Sequence, residues 1–319
     1  MKSKMLIHPD ELSKKWIDKL ADAGVDILGI HPAGGGKAAQ SLKELTEAAG
    51  TEAFRALVDY AESRGLETVY ECHAAGYLLP RELFLRHPEY FRQNEKGERS
   101  ADKNFCVSNT EALDIFAKNA AELASRLYKS KNEYYFWMDD VRNARCHCEK
   151  CKDLSASDQQ LIAVNAMLKE IKKHRPDAKA AYLAYADTVS PPQSVKADPD
   201  VFLEYAPMEK YKPKTEGWEQ RVDKERKMLP PLLELFGKRD AKVLEYWYDN
   251  SLFSGWKKPP EKFTLDRDSM EKNIAEYKNI GFSEISTFAC YLGNDYTELY
   301  GDVDIAPFAE CIAEENRTR

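Results

Sequence analysis

Short apolar runs separated by amphipathic stretches recur along the whole chain. Eight of these runs predict β-strands, at residues 5–8, 25–31, 67–73, 134–138, 180–186, 201–206, 242–249 and 283–289. Between them, apolar residues recur at intervals of three and four, as Leu12, Trp16 and Leu20 do, which predicts amphipathic helices. Eight strands alternating with helices over about 300 residues is the count of a (β/α)8 TIM barrel, an α/β fold.

The same pattern predicts one barrel domain that covers residues 1–319, because it contains no linker and no sequence repeat. A long irregular stretch at about 74–109 interrupts the alternation after the third strand, and connections of this length are usually functional loops. Asp10 is the predicted N-cap of the first helix. An open doubly wound sheet is the alternative fold, but it does not require the strand count to reach eight.

Composition narrows the choice of partners. The net charge of −7 and the pI of about 5.6 argue against nucleic acid and against an anionic membrane surface. The sequence contains no apolar run of about 18 residues, so no membrane span is expected. The first residues lack the apolar segment of a signal peptide, which predicts a cytoplasmic protein unless the chain was trimmed. Oligomeric state stays open.

Polar and aromatic residues cluster where the predicted strands end, which in a barrel of this kind is where the active site lies. Alternation along the strands predicts that Glu71, His73, Glu204, Glu245 and Trp247 face inward. Carboxylates mixed with aromatic rings are typical of a sugar site, where acids transfer protons and rings stack on pyranose faces. The full set is His31, Glu71, His73, Asp139, Asp140, Tyr185, Asp187, Glu204, Glu245, Trp247, Asp249 and Tyr291.

Three cysteines follow the fourth strand closely, in the spacing C-x-C-x-x-C: Cys146, Cys148 and Cys151. An odd total of seven cysteines, three of them clustered, fits a reducing compartment and a metal better than a disulfide framework. Structural zinc takes four tetrahedral ligands, and we predict Cys106 as the fourth, with His147 as the alternative. Three free thiols, or a disulfide from Cys106, are the competing interpretations.

Three segments resemble a bacterial family of glycoside-hydrolase-like proteins called domain of unknown function 4838. They are residues 28–32, residues 87–91 together with 106–109, and residues 139–151. The family typically shows Asn-Asp-Gly followed by C-x-C-x-x-C; here Asp140 and the three cysteines match, while Asp139 replaces Asn and Val141 replaces Gly. The resemblance implies a barrel similar to those of hexosaminidases and α-glucuronidases, and by analogy glycoside hydrolysis.

The catalytic assignment rests partly on this resemblance. Asp140 ends the fourth strand and matches the Asp of the family, so it is the predicted proton donor. Sugar-cleaving barrels often carry the nucleophile on the seventh strand, which makes Glu245 the predicted nucleophile or base and Glu204 the runner-up. An alternative follows from the adjacent acidic pair of hexosaminidases: Asp139 would polarise an N-acetyl group while Asp140 protonates the leaving oxygen.

The remaining strand-end residues are predicted to bind substrate. Trp247, Tyr248 and Tyr291 would supply ring faces to the sugar. Tyr248 follows Trp247 directly, so alternation along the strand would turn it the opposite way, toward the helices. The predicted polar ligands of the sugar are His31, Glu71, His73, Tyr185 and Asp249.

Three functions are therefore compatible with the sequence. The first is a glycoside hydrolase that acts on an oligo- or polysaccharide, with a structural zinc and no organic cofactor. The second is a non-catalytic carbohydrate-binding or structural barrel with the same zinc. The third is a metal-dependent enzyme whose chemistry takes place at the cysteine cluster.

Overall fold

The structure, a computed structural model, describes residues 1–314. Eight parallel strands close into a barrel in chain order, β1 to β8, which confirms the predicted TIM-barrel fold. The strands are β1 (Lys2–Ile7), β2 (Ile27–Ile30), β3 (Glu67–His73), β4 (Glu133–Trp137), β5 (Lys179–Ala184), β6 (Val201–Tyr205), β7 (Lys242–Glu245) and β8 (Glu284–Phe288).

Helices lie between the strands, and the described residues also include short 3-10 turns. The α-helices are α1 (Lys14–Asp22), α2 (Ala38–Ala48), α3 (Glu52–Ser63), α4 (Ala75–Leu78), α5 (Thr110–Arg126), α6 (Ala156–Ile171), α7 (Trp218–Lys227), α8 (Leu229–Phe236), α9 (Asn250–Phe253), α10 (Arg267–Ile280), α11 (Asn294–Tyr300) and α12 (Ala306–Glu314). Within residues 1–314, no helix has the length and apolar character that crossing a membrane requires.

Side-chain caps set where several of these helices begin. Thr51 accepts the backbone N–H of Phe54 at the start of α3. Asn109 caps α5 in the same way, and Ser155 forms a reciprocal capping box at the start of α6. The predicted cap Asp10 is wrong, because it lies in the 3-10 turn Pro9–Glu11 and Ser13 caps α1 instead.

Backbone contacts group the described residues into two compact units. The first unit contains Met1–His31, Thr51–Tyr70 and residues 238–314, and the second contains Pro32–Gly50 and Glu71–Gly237. The prediction that one domain covers the whole chain stays a prediction.

A buried charge network lies among the strands of the first unit. The Lys4 ammonium on β1 lies 2.7 Å from the Glu284 carboxylate on β8, and Lys242 on β7 lies 3.5 Å from the same carboxylate. Lys4 is fully buried, and burial of a charge is tolerated when it is paired in this way. These three side chains mark one face of β1, β7 and β8.

The irregular segment after β3 belongs to the second unit and is well packed. Gln93 and Arg99 form an isolated antiparallel bridge, so the residues between them, including Gly97, make a short hairpin. Phe91 and Phe105 are buried, so this long connection has a small apolar core of its own. It carries Arg81, Asn104 and Cys106 toward the end of β4.

Candidate active site and cysteine cluster

Asp139, two residues after β4, is held by donors from the loop that follows β3. The Arg81 guanidinium and the backbone N–H of Asn104 both donate to its Oδ2, the latter at 2.5 Å. The backbone N–H of Asp139 donates in return to the Asn104 side-chain oxygen at 2.9 Å. Arg81 also donates to the Asn104 carbonyl at 2.5 Å. This closed set of hydrogen bonds fixes the Asp139 carboxylate, whose side chain is 16% exposed.

Asp140 has different neighbours from Asp139. Tyr185 lies just beyond β5 and close enough to Asp140 to feel its charge. Burial, and then the negative charge of Asp140, raises the pKa of Tyr185, so its hydroxyl keeps its proton. His73, the last residue of β3, donates from Nδ1 to the Met138 carbonyl at 2.7 Å. In the neutral ring this leaves Nε2 as an acceptor.

Gly34 allows His73 and Asp140 to lie close to the backbone of the loop after β2. A Cβ added at Gly34 would lie 3.2 Å from Cδ2 of His73 and 3.4 Å from Oδ2 of Asp140. A side chain here would crowd both groups, so the glycine keeps the space beside Asp140 open. The Gly34–Gly36 segment therefore contributes more than a flexible connection.

Four non-glycine residues in the loops of the second unit have a positive φ: Asn104, Asn143 and Ala186, at 29°, 54° and 51°, and Lys129, at 51°, between α5 and β4. Such conformations cost free energy and persist where surrounding bonds impose them. Asn104 is bonded to Asp139, and the N–H of Asn143 donates to Asp187. Two of these four strained residues, Asn104 and Asn143, therefore contact carboxylates just beyond the ends of β4 and β5.

Glu204 and Glu71 lie deeper in the second unit, and both are fully buried. The Trp137 indole N–H donates to Glu204 at 2.8 Å, and the Trp137 ring contacts the His73 ring edge-on at 5.0 Å. Glu204 thus orients Trp137, and through it the ring of His73. This placement suits a positioning role better than direct contact with a substrate.

In the first unit, a row of rings follows the ends of the strands. His8 stacks on His31 with centroids 5.9 Å apart, and His8 also contacts Tyr291 at 5.8 Å. Phe288 joins the other end of the row, 4.9 Å from His31 and 5.2 Å from Tyr246. His31 and Tyr291 were predicted from the sequence, whereas His8, Tyr246 and Phe288 were missed. Alternation places Tyr246 on the same face as Lys242, but the sequence alone does not say that this face is the inward one.

The predicted inward orientation of Glu245 and Trp247 is wrong. Glu245 is fully buried and accepts a hydrogen bond from Tyr277 on α10, so its side chain faces the helices. Trp247 packs on Phe308 of α12. Register explains both contacts: Lys242 pairs with Glu284 on the charged face, so Glu245, three residues later, points to the opposite face.

Two further predicted substrate ligands have structural roles. Tyr248 is fully buried, stacks on Phe263 and contacts Phe308 of α12, so it faces the helices. Asp249 accepts the backbone N–H groups of Ser251 and Leu252 and so caps α9. Burial raises the pKa of Asp249. Neither side chain offers a free face to a sugar.

Cys106, Cys146, Cys148 and Cys151 form one buried cluster whose sulfur atoms all lie within 4.8 Å of one another. This confirms that Cys106 joins the C-x-C-x-x-C motif. The Cys106 sulfur lies 3.6 Å from that of Cys148 and 3.9 Å from that of Cys151. Tetrahedral zinc with Zn–S bonds of about 2.3 Å requires sulfur separations of about 3.8 Å, so the cluster fits this metal.

Donors around the cluster suit a group of thiolates. The backbone N–H of Gln93 donates to the Cys146 sulfur at 3.3 Å. The Ser108 hydroxyl lies 3.2 to 3.6 Å from the sulfurs of Cys106, Cys148 and Cys151. Hydrogen bonds of this kind stabilise negative charge on sulfur and orient metal ligands. The structure leaves His147 outside the cluster, with its ring 3.6 Å from Glu95.

Several solved structures share the fold. The chain is similar to PbGH5A, a glycoside hydrolase family 5 enzyme from Prevotella bryantii B14 solved with a xyloglucan tetradecasaccharide, with TM-score 0.52, 13% identity and coverage of 95% of this chain and 86% of that chain. A β-galactosidase from the psychrophilic Marinomonas ef1 gives TM-score 0.55 and 12% identity, over 99% of this chain and 60% of that chain. The pneumococcal exo-β-D-N-acetylglucosaminidase StrH gives TM-score 0.49 and 14% identity, over 99% of this chain and 83% of that chain.

At these identities the likeness to PbGH5A and to the β-galactosidase shows the fold of the chain and nothing more. No curated protein matches the sequence. Residues 44–226, more than half of the 319 residues, match the family described as "Domain of unknown function (DUF4838)". The match spans the second unit almost completely, including the Asp139–Asp140 pair and the cysteine cluster. The chain therefore belongs to the DUF4838 family.

Proposed function

We propose that the protein is a glycoside hydrolase in which Asp140 protonates the leaving oxygen of a carbohydrate substrate. The observation that carries the proposal is the unlike environment of two adjacent carboxylates after β4. Asp139 is tied to Arg81 and Asn104, whereas Asp140 lies beside Tyr185, His73 and the open backbone of Gly34. Two carboxylates held in different environments can take different roles in one reaction.

The neighbours of Asp140 support proton transfer. A glycosidic oxygen leaves readily only when an acid protonates it as the bond to the anomeric carbon breaks. Asp140 supplies this proton, and the nearby Tyr185 hydroxyl, whose pKa burial and the charge of Asp140 raise, is a protonated group available to donate to the carboxylate that forms. His73, with Nδ1 bonded to Met138, presents Nε2 as an acceptor for a substrate hydroxyl.

Asp139 serves as the fixed anion of the pair. The transition state of glycoside cleavage carries positive charge on the sugar ring, which a nearby carboxylate stabilises. Arg81 and Asn104 hold Asp139 in place, so little reorganisation is needed as the charge develops. Glu245 takes no part in this proposal because its side chain faces Tyr277 on α10.

The proposed role of the cysteine cluster is to hold one structural zinc. Zinc with four thiolate ligands has no open position for substrate, so it supplies folding free energy rather than chemistry. Cys106 lies two residues after Asn104, and the other three ligands follow Asp140 within 11 residues of chain. The metal would therefore connect the two loops that carry Asp139 and its partner Asn104.

A panel of 4-nitrophenyl glycosides tests the proposed reaction. We expect turnover of at least one glycoside, and the variant Asp140→Asn should lower kcat/KM at least a hundredfold, the usual range for loss of a general acid. With a 2,4-dinitrophenyl leaving group, which needs no protonation, the deficit should be much smaller. Asp153→Asn, at an exposed position of the same loop, is the matched control.

Full activity of Asp140→Asn on the 4-nitrophenyl substrates would overturn the assignment. Binding of sugars without turnover across the whole panel would favour the non-catalytic carbohydrate-binding alternative.

A further inference from the structure

Trp256, in the connection between β7 and α10, combines a strained backbone with an exposed ring. Among the described residues of the first unit, the non-glycine residues with a positive φ are Trp256 and Tyr291, at 56° and 62°. A positive φ is rare for a bulky residue and costs free energy. Trp256 is 64% exposed, so burial of its ring offsets little of that cost.

The turn that holds Trp256 requires a left-handed residue one position earlier. Gly255, with φ of 59°, follows the short helix α9, and its N–H donates to the Leu252 carbonyl at 3.0 Å. The N–H of Trp256 donates to the Ser251 carbonyl at 2.7 Å, which completes a Schellman motif. An apolar residue at the position of Trp256 commonly packs on an apolar residue one turn back, but Asn250 and Ser251, which lie there, are polar. Neither the turn nor an apolar contact within it therefore accounts for a tryptophan.

Lys258, two residues after Trp256, is held in place by groups from two neighbouring strand ends. Its ammonium lies over the Tyr291 ring, 5.0 Å from the ring centroid, just after β8. The same ammonium lies 2.8 Å from Asp295, in the first turn of α11, and 3.7 Å from Asp10, after β1. The side chains of the three charged residues are 40% to 70% exposed, so their polar atoms can reach a ligand. An exposed ring and fixed polar groups thus meet in the loops that follow β1, β7 and β8.

This mixture of groups fits a carbohydrate better than a protein partner. The face of an indole ring stacks on the apolar C–H face of a pyranose, while carboxylate and ammonium groups bind its hydroxyls. The centre of a protein interface is instead depleted of charged residues, and a stable interface buries about 800 Å² on each partner. Two carboxylates and one ammonium leave a net charge of −1 here, which opposes an anionic sugar. A neutral sugar meets no such repulsion.

From these observations we infer that Trp256 is the stacking platform of a binding site for one residue of a neutral glycan. The indole face binds the pyranose ring, and Lys258, Asp10 and Asp295 bind its hydroxyls. Tyr291, with the Lys258 ammonium on one face of its ring, orients that ammonium. The ligand class rests on the proposed function, whose substrate is a carbohydrate, whereas the site itself lies wholly within the first unit. The sugar supplies the contact that the exposed ring lacks within the chain.

Protection of Trp256 from a fluorescence quencher tests the inference without any turnover. Among the five tryptophans, Trp256 is exposed, Trp218 is half-buried, and three are buried: Trp16, Trp137 and Trp247. Acrylamide should therefore quench mainly Trp256. The probes are four neutral tetrasaccharides (cellotetraose, xylotetraose, mannotetraose and tetra-N-acetylchitotetraose), with tetragalacturonic acid as the charged comparison.

The quenching experiment uses the Asp140→Asn chain, so that a probe is not cleaved by the proposed reaction. We expect at least one neutral tetrasaccharide to protect Trp256, and to bind about tenfold more tightly than tetragalacturonic acid. Absence of protection by every neutral tetrasaccharide would overturn the inference. Protection by tetragalacturonic acid alone would overturn it as well.

Substitutions at position 256, made in the same chain, separate the effect of the ring from that of the backbone. Trp256→Asn accepts the positive φ but has no ring face, so calorimetry should show about tenfold weaker binding of the best neutral tetrasaccharide, at an unchanged or higher melting temperature. Trp256→Tyr keeps a ring and should retain most of the affinity. Leu85→Asn removes an apolar side chain that is 87% exposed and is the matched control. Unchanged affinity in Trp256→Asn, or an equal loss in the Tyr and Asn variants, would exclude stacking on this ring.

Sedimentation of the wild-type chain tests a second copy as the alternative occupant. A dimer that Trp256→Asn converts to a monomer would make the ring a contact between copies and would overturn the glycan site. A monomer, or a dimer that survives this substitution, supports it.

The two proposals fail in different ways. Binding of a neutral tetrasaccharide that depends on Trp256, in a chain that cleaves no aryl glycoside, keeps this site and overturns the proposed hydrolase. Turnover that depends on Asp140, without protection of Trp256 by any neutral tetrasaccharide, has the opposite meaning.

Discussion

Asn104 and Asp139 exchange two hydrogen bonds across 35 residues of sequence: Asn104 N–H donates to Oδ2 of Asp139 at 2.5 Å, and Asp139 N–H donates to Oδ1 of Asn104 at 2.9 Å. Asn104 also has a left-handed backbone, with φ of 29°. Asparagine tolerates this conformation better than most residues, and its amide supplies the acceptor that Asp139 needs. One residue thus fixes both the backbone and the carboxylate of Asp139.

Asn104→Gly should lower kcat while the protein remains folded. Glycine accepts the left-handed backbone but lacks the oxygen that receives Asp139 N–H, so one hydrogen bond is lost at a cost of about 1 kcal/mol in unfolding free energy. The matched control is Asn143→Gly, which also replaces an asparagine of positive φ but has an exposed side chain. Steady-state kinetics and urea unfolding measure the two effects; unchanged kcat in Asn104→Gly would show that Asp139 does not depend on this contact.

The cysteine cluster leads to a prediction about metal content. Protein purified without chelator should contain about one zinc per chain, and Cys106→Ser should lose it, because an alcohol is a far weaker zinc ligand than a thiolate. Since Cys106 lies close to Asn104 in sequence, the loss should lower the melting temperature and also reduce the activity. Cys311→Ser, which changes a cysteine outside the cluster, serves as the control. Metal analysis that finds no zinc in the wild-type chain would contradict the structural zinc.

The fold was predictable because its signal is repeated eight times and each strand is short and apolar. The ends of the strands were less predictable where a strand contains buried charged residues. The sequence predicts that β1 begins at Met5, whereas it begins at Lys2, since Lys4 pairs with Glu284 and is buried. Lysines at the start of a strand look like exposed loop residues until the partner that neutralises them is known.

The site was predictable where evidence came from local motifs. The C-x-C-x-x-C motif and the Asp139–Asp140 pair each consist of residues close together in sequence, whereas Cys106 joins the cluster from the preceding loop. Arg81 and Asn104 were missed because they lie in an irregular loop with no periodic pattern. Glu245 and Trp247 were assigned to the wrong face of β7. Alternation divides the residues of β7 between two faces, but it does not say which face points into the barrel. The pairing of Lys242 with Glu284, which identifies that face, is known only from the folded structure.

The contact between Glu245 and Tyr277 predicts a structural rather than a catalytic role for this glutamate. Tyr277→Phe removes a donor to a buried carboxylate and should lower the unfolding free energy by about 1–3 kcal/mol. Glu245→Gln should likewise affect stability, with kcat close to that of the wild type. Tyr300→Phe, a partly exposed tyrosine bonded to the Pro260 carbonyl, should cost less. Loss of turnover in a folded Glu245→Gln variant would return Glu245 to the catalytic candidates.

Glu11 gives a pH dependence to the stability of the first unit. Its carboxylate accepts the backbone N–H groups of His8, Leu292 and Gly293, at 3.1, 2.9 and 2.9 Å. Burial nevertheless raises the pKa of Glu11 from 4.5 to about 7, since desolvation outweighs these hydrogen bonds. Between pH 4.5 and 7 the folded state therefore binds the proton that the unfolded state has lost.

Stability must fall with rising pH wherever the folded state binds more protons. For Glu11 the total fall in unfolding free energy should be about 3.5 kcal/mol, at about 1.4 kcal/mol for each unit of the pKa difference, and most of it should occur between pH 4.5 and 7. Urea unfolding at steps of half a pH unit measures this fall. The contribution of Glu11 is the difference in unfolding free energy between the wild type and Glu11→Gln, whose amide cannot titrate. Glu216→Gln, at an exposed position, should reproduce the wild-type profile. Parallel profiles for the wild type and Glu11→Gln would mean that Glu11 titrates alike in the folded and unfolded chains.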